Sequence, residues 1–252
     1  MTDTREQGRE SLSGRSGYGP AARALHWMSA LAILAMIALG LVMVRLPATS
    51  EAEVARVFAT YSVHKTLGLG VLALAALRIG WTLGHPGPGP LHPERRAETC
   101  LARLVHRTLI GAMLVLPVSG LLHHSAAPGF APILWPFGQT LPLMAADERL
   151  ALIFASVHRV SGWVLLAALG LHVLGVAKHR FVDRDATLAR MVAGSGPAVP
   201  PAGPAGATRI AAAGLWAATI LAGYLLAPAP EPDPFGAFDP AGAIGVTAPP
   251  AD

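Results

Sequence analysis

From Ala24 through Val44 the chain carries no charged side chain, and four further stretches are nearly as long and as apolar. Hydrocarbon offers an amide no water, so a run of roughly 20 such residues crosses a bilayer only with its backbone bonded to itself, as in a helix. That constraint predicts an all-α integral membrane protein. The expected spans are 23–45, 58–84, 100–123, 150–178 and 210–227. Composition agrees where it decides something: 13% charged residues is about half of the roughly 25% that coats a soluble domain. Pro117 falls inside the third span, where neighbouring helices can satisfy the carbonyl it frees.

The connections divide the rest. Residues 1–20 form a polar arm, and no cleavage-site pattern follows a short apolar core, so a removed signal peptide is not expected. Residues 21–192 hold the first four spans as one four-helix transmembrane domain. A loop from about His124 to Asp147, with Trp135-Pro136-Phe137-Gly138 at its middle, suits an interfacial lid. Residues 193–208 read as a flexible Gly/Pro/Ala linker, 209–228 as a fifth, C-terminal transmembrane helix, and 229–252 as a disordered acidic tail.

Basic residues set the orientation. Arg5, Arg9, Arg15 and Arg23, then Arg95, Arg96 and Arg103, then Lys178, Arg180, Arg184 and Arg190 share one side. The other side offers Arg45, Arg56 and Arg149, and the tail has no Lys or Arg. The N-terminus is expected in the cytoplasm and the C-terminus in the periplasm of a bacterial inner membrane. The net charge of +4 is thus topological, and nucleic acid is not an expected partner. A single cysteine, Cys100, excludes internal disulfides, covalent haem attachment and thiolate clusters.

Histidines carry the chemistry. They recur in Ser62-Val63-His64-Lys65-Thr66-Leu67-Gly68, Leu104-Val105-His106-Arg107-Thr108-Leu109-Ile110-Gly111 and Ser156-Val157-His158-Arg159-Val160-Ser161-Gly162. Imidazoles at membrane depth usually have a functional partner, and haem iron is the leading candidate. The fourteen residues from His158 to His172 make nearly four turns and rise ~21 Å, so one helix points two imidazoles the same way at two heights. Depth then pairs His64 with His158 toward the outside and His26 with His172 toward the inside. Two imidazoles on one iron leave no open position, which suits electron transfer. Lys65 and Arg159 follow the outer candidates and could meet propionates, as could Arg23, Arg78 and Arg107 below; Arg78 could equally snorkel to the inner surface. Gly68 and Gly162, one turn from the outer candidates, would let a flat macrocycle approach the backbone. His106 lies at the depth of His26 and could replace it, although its following glycine is displaced by one position. If free, it would bond a quinone carbonyl or a propionate. His85, His92, His123, His124 and His179 read as headgroup or backbone hydrogen-bonders.

The stretches Ala24-Leu25-His26-Trp27, Ser62-Val63-His64, Leu77-Arg78, Ser156-Val157-His158 and Gly170-Leu171-His172 stand in this order. Lys178-His179-Arg180-Phe181 and Asp185-Ala186-Thr187-Leu188-Ala189-Arg190-Met191 follow them. Together they resemble the bacterial cytochrome b561 family over about residues 20–192. The resemblance implies a four-helix bundle holding two bis-histidine haem b groups and exchanging electrons with the quinone pool. It favours His26, His64, His158 and His172 as ligands. It also permits a small periplasmic donor such as superoxide. The superfamily includes cytochrome b subunits of hydrogenases and formate dehydrogenases, so a membrane-anchor subunit of a larger complex is the second reading. A histidine-based metal or proton transporter ranks last, because the first four expected spans contain no acidic residue.

Overall fold

The computed structural model describes residues 17–127, 130–136, 139–142, 144–200 and 206–230. It is all-helical, with no β-strand among the described residues. Helix α1 is Pro20–Met43, α2 Glu51–Gly84, α3 Arg96–Ala126, α4 Glu148–Lys178, α5 Thr187–Val192 and α6 Gly206–Leu225. A single π-helical turn, His179–Asp183, extends α4. All the expected spans are helices long and apolar enough to cross a membrane.

Local chemistry sets their ends. Pro20 opens α1 at a position where its missing N–H is not needed. Ser50 and Glu53 form a reciprocal capping box, so α2 starts seven residues before the expected 58. Asp147 caps α4 by accepting from the Leu150 N–H at 2.8 Å. The turn after α4 stops at Arg184, a left-handed residue with φ 52°. Helix α3 continues to Ala126, which places His124 in the helix and not at the start of the loop.

Around the bundle α1 packs on α2, α2 on α3, and α3 on α4, while α6 lies in the groove between α3 and α4. Helices α1 and α4 are not a closely packed pair, although His26 and His172 approach each other across them. The burial pattern is that of a membrane protein. The largest fully buried side chains are Ser29, Ser125, Ser156 and Ser161, whereas Leu31, Trp163, Leu174 and Ile210 face outward. Small residues let helix backbones approach in hydrocarbon, where apolar side chains gain nothing by turning inward.

Helix α6 illustrates this. Thr208, Ala212, Trp216, Thr219 and Gly223 form its buried stripe. The Trp216 indole covers Gly111, and Gly223 lies so close to α4 that a Cβ there would fall 2.5 Å from Val157 Cα. Arg149 donates to the Pro228 carbonyl at 2.7 Å and pins the end. Of the expected linker, 193–200 packs back on the fold, with Gly194 against Gly17 and Pro200 against Gly89. Residues 201–205, the arm before Gly17 and the tail after residue 230 lie outside the described residues.

Candidate functional site

Two groups of imidazoles meet between the helices. At the end nearer the 127–147 loop, His64 on α2 and His158 on α4 stand with ring centroids 6.3 Å apart and planes at 72°. His158 Nδ1 lies 3.0 Å from the Leu116 carbonyl. A carbonyl only accepts, so Nδ1 carries the proton and Nε2 keeps its lone pair. Ser119 Oγ sits 3.2 Å from the same nitrogen and steadies the ring. This arrangement, a backbone carbonyl fixing the tautomer of a ligand imidazole, is how metal-binding histidines are prepared. His64 Nδ1 is buried without a hydrogen-bond partner.

Glycines keep both rings clear. A Cβ on Gly120 would lie 3.4 Å from His158 Cε1, and one on Gly40 would lie 3.6 Å from His64 Cε1. A Cβ on Gly162 would meet nothing within 4 Å, while one on Gly68 would meet Met36 Cε at 3.6 Å. The open face expected at Gly162 is therefore present, and the one expected at Gly68 holds a flexible methionine.

At the other end three imidazoles converge. His26 and His172 have centroids 6.2 Å apart, and His106 and His172 only 4.9 Å apart. His106 Nδ1 donates to the Ala102 carbonyl of its own helix at 2.6 Å. A metal–imidazole bond of about 2 Å, plus about 1.1 Å from nitrogen to ring centre, separates two coaxial ligand rings by about 6.2 Å. The His64–His158 and His26–His172 pairs have that spacing. His106–His172 is too short for a coaxial pair.

The expected propionate partners differ in availability. Arg159 is exposed. Lys65 has its Nζ at 2.5 Å from the Phe130 carbonyl, 2.8 Å from that of Ala131 and 3.1 Å from His124 Nδ1, so its three protons are committed to the loop and to α3. Thr66 Oγ1 accepts from the Leu134 N–H, and Phe58 and Tyr61 pack edge-on against Phe130. The residues bracketing His64 thus hold the loop down. His124 is 4% exposed, a buried partner of Lys65 and not a headgroup ligand. His123 does bond backbone, at the Ala151 carbonyl.

Where α3 begins and α4 ends, Glu98, His179 and Asp183 approach as metal ligands could. The cation position is already taken. Lys178 Nζ lies 2.6 Å from Asp183 and 3.0 Å from both Glu98 oxygens, and Arg95 bonds Asp183 at 3.0 Å. His179 and His92 share Asp185 Oδ2 at 2.7 and 3.1 Å. Burial by itself would raise the Asp185 carboxyl, but the Thr187 N–H and His179 outweigh it and hold the pKa at about 2. This network ties the helix ends together.

A bundle of helices long and apolar enough to cross a membrane, with imidazoles paired between them, points to a class, the integral-membrane b-type cytochromes. The model of the prokaryotic cytochrome b561 family matches residues 17–194. Cytochrome b561 homolog 2 of Escherichia coli (strain K12) is 29% identical over 176 residues, covering 69% of this chain and 90% of that protein. The chain belongs to the prokaryotic cytochrome b561 family. It is accordingly a multi-pass membrane cytochrome of the haem b type with an electron-transfer role. Helix α6 lies outside the matched segment.

Proposed function

We propose that the chain is a two-haem electron carrier that passes electrons across the membrane between an outer donor and quinone. The observation that carries the reading is the pair of metal-spanning imidazole couples, 6.3 and 6.2 Å between centroids, that share helix α4. His64 and His158 would hold the outer haem, and His26 and His172 the inner one. Haem supplies one-electron chemistry when bound. The protein's part would be to hold each haem with two histidines, and to fix the His158 ring through the Leu116 carbonyl. Arg78 would offset negative charge at the inner pair. The excess of Arg and Lys on the side of the N-terminal arm and of the loop after α2 supports a cytoplasmic N-terminus and a periplasmic C-terminus. The outer donor is a small diffusible species such as superoxide, or a partner protein.

The test is direct. Purified protein, reduced and mixed anaerobically with a short-tailed quinone, should lose its reduced haem bands within the mixing experiment. Superoxide should reduce the oxidised form. Haems that stay reduced in excess quinone would refute the quinone half of the reading. A stable catalytic subunit co-purifying stoichiometrically would favour the anchor alternative.

A further inference from the structure

Three arginines stand at one level where α3 and α6 pack together. The two helices run the same way, because Lys178 at the end of α4 bonds Glu98 near the start of α3, and Arg149 near the start of α4 holds Pro228 just beyond α6. The Trp216 indole covers Gly111 and fixes their register. Arg107 lies four residues before Gly111 and Arg103 eight, one and two turns down the same side of α3. Arg209 lies seven residues before Trp216, two turns down and on its face of α6. A tryptophan side chain leans toward the start of its own helix. The three cations therefore share a band of depth roughly 6–12 Å below the Trp216–Gly111 contact.

That band is the headgroup level. Helix α6 has 20 residues, a length of about 30 Å that matches the hydrocarbon core, and Arg209 sits in its first turn. Above it Ile210 and Leu221 face outward, 75% and 56% exposed, as a surface for acyl chains. The described carboxylates at this end are engaged elsewhere, Glu94 with His92, Glu98 and Asp183 with Lys178, and Asp185 with His179. Arg103 and Arg209 make no hydrogen bond or ion pair among the described residues. Like charges crowded at the edge of hydrocarbon repel unless an anion joins them. At this depth that anion is a lipid phosphate, which accepts two N–H groups from one guanidinium.

We infer that an anionic phospholipid binds between α3 and α6, its phosphate held by Arg103 and Arg209 with Arg107 beside them. Three cations exceed the charge of one phosphodiester, so a lipid with two phosphates, diphosphatidylglycerol, is the best match. By bridging the helices it fastens α6 to the bundle at the end opposite the Arg149–Pro228 contact.

The experiment titrates the haem-loaded full chain in mild detergent and counts bound molecules by native mass spectrometry. The probes are diphosphatidylglycerol, phosphatidylcholine with the same acyl chains, and inorganic phosphate. One diphosphatidylglycerol should bind in preference to phosphatidylcholine, and phosphate alone should not bind. Arg103→Gln and Arg209→Gln should each weaken the binding about fivefold, the effect of one cation at a membrane surface. Arg209→Lys keeps the charge and should bind nearly as wild type does. Arg56→Gln makes the same charge change on the opposite side of the membrane and should not weaken binding. Haem per polypeptide, read optically, shows that each variant has folded. Equal affinity for the two lipids would overturn the inference, as would equal weakening by Arg56→Gln. Wild-type affinity in both folded glutamine variants would overturn it as well, and phosphate binding as strongly as the lipid would rule out a lipid as the occupant.

Discussion

The contact between α6 and α4 makes a sharp prediction at Gly223. An alanine Cβ there would fall 2.5 Å from Val157 Cα and 2.9 Å from its nitrogen, both backbone atoms that cannot swing away. Ordinary contact begins near 3.4 Å, so the two helices must part by about 0.9 Å. Overpacking of this kind costs about 1–3 kcal/mol. Gly214, on the same helix, is the control, because a Cβ there meets nothing within 4 Å. At Gly214, alanine should be stabilising by up to about 1 kcal/mol through helix propensity. The propensity gain is common to both sites of this helix, so the two substitutions should differ by the overpacking cost alone, roughly 1–3 kcal/mol, which for a chain of this size is about 2–12 °C in Tm. Loss of the haem Soret band on heating in detergent measures it. Gly223→Ala should melt below wild type, and Gly214→Ala at or above it. Because Val157 precedes His158, the band of the outer haem should fade first in Gly223→Ala. Equal melting of the two variants would refute the close docking of α6.

Three further outcomes follow from other contacts. His26→Ala should lose the inner haem while His106→Ala keeps both, and absorbance per polypeptide separates this from the reverse assignment. Lys65→Met removes all three Nζ bonds to the loop and to His124, so amide exchange of residues 130–136 should speed up about tenfold or more, and unchanged exchange would mean the loop is held otherwise. Asp185, with its pKa held at about 2 against an ordinary 3.8, contributes stability that is complete above that ordinary value and is lost as pH falls toward 2. Asp185→Asn should flatten the acid limb of a pH–stability curve, and an unchanged limb would show that the carboxylate is not linked to folding.

Much of the architecture was legible because one physical demand, backbone satisfaction in hydrocarbon, leaves a long mark in sequence. All the spans could be seen as apolar runs, and only their ends moved, as where Ser50 and Glu53 started α2 early. The two heights of imidazole followed from the distance between His158 and His172 along one helix. Which inner histidine faces His172 at a metal-spanning distance was not legible, since His26 and His106 share a depth and only rotation about their helices separates 6.2 from 4.9 Å. The Leu116 carbonyl behind His158 and the His124 partner of Lys65 are contacts between helices, which leave no local pattern. Lys65 was expected to meet a propionate because it follows His64, yet its ammonium bonds a carbonyl in a loop 65 residues further on. The ionic network at Glu98, Lys178 and Asp183 depends on one π-helical turn that shifts the phase of α4 at its end.

The central claim is that two imidazole couples at different heights each hold a haem. Quantitative haem extraction against polypeptide mass, repeated on His158→Ala and His172→Ala, tests it most directly. The account predicts two haems per wild-type chain and one in each variant, with different reduced-band positions surviving. A single haem in the wild-type chain, or the same haem lost from both variants, would contradict it.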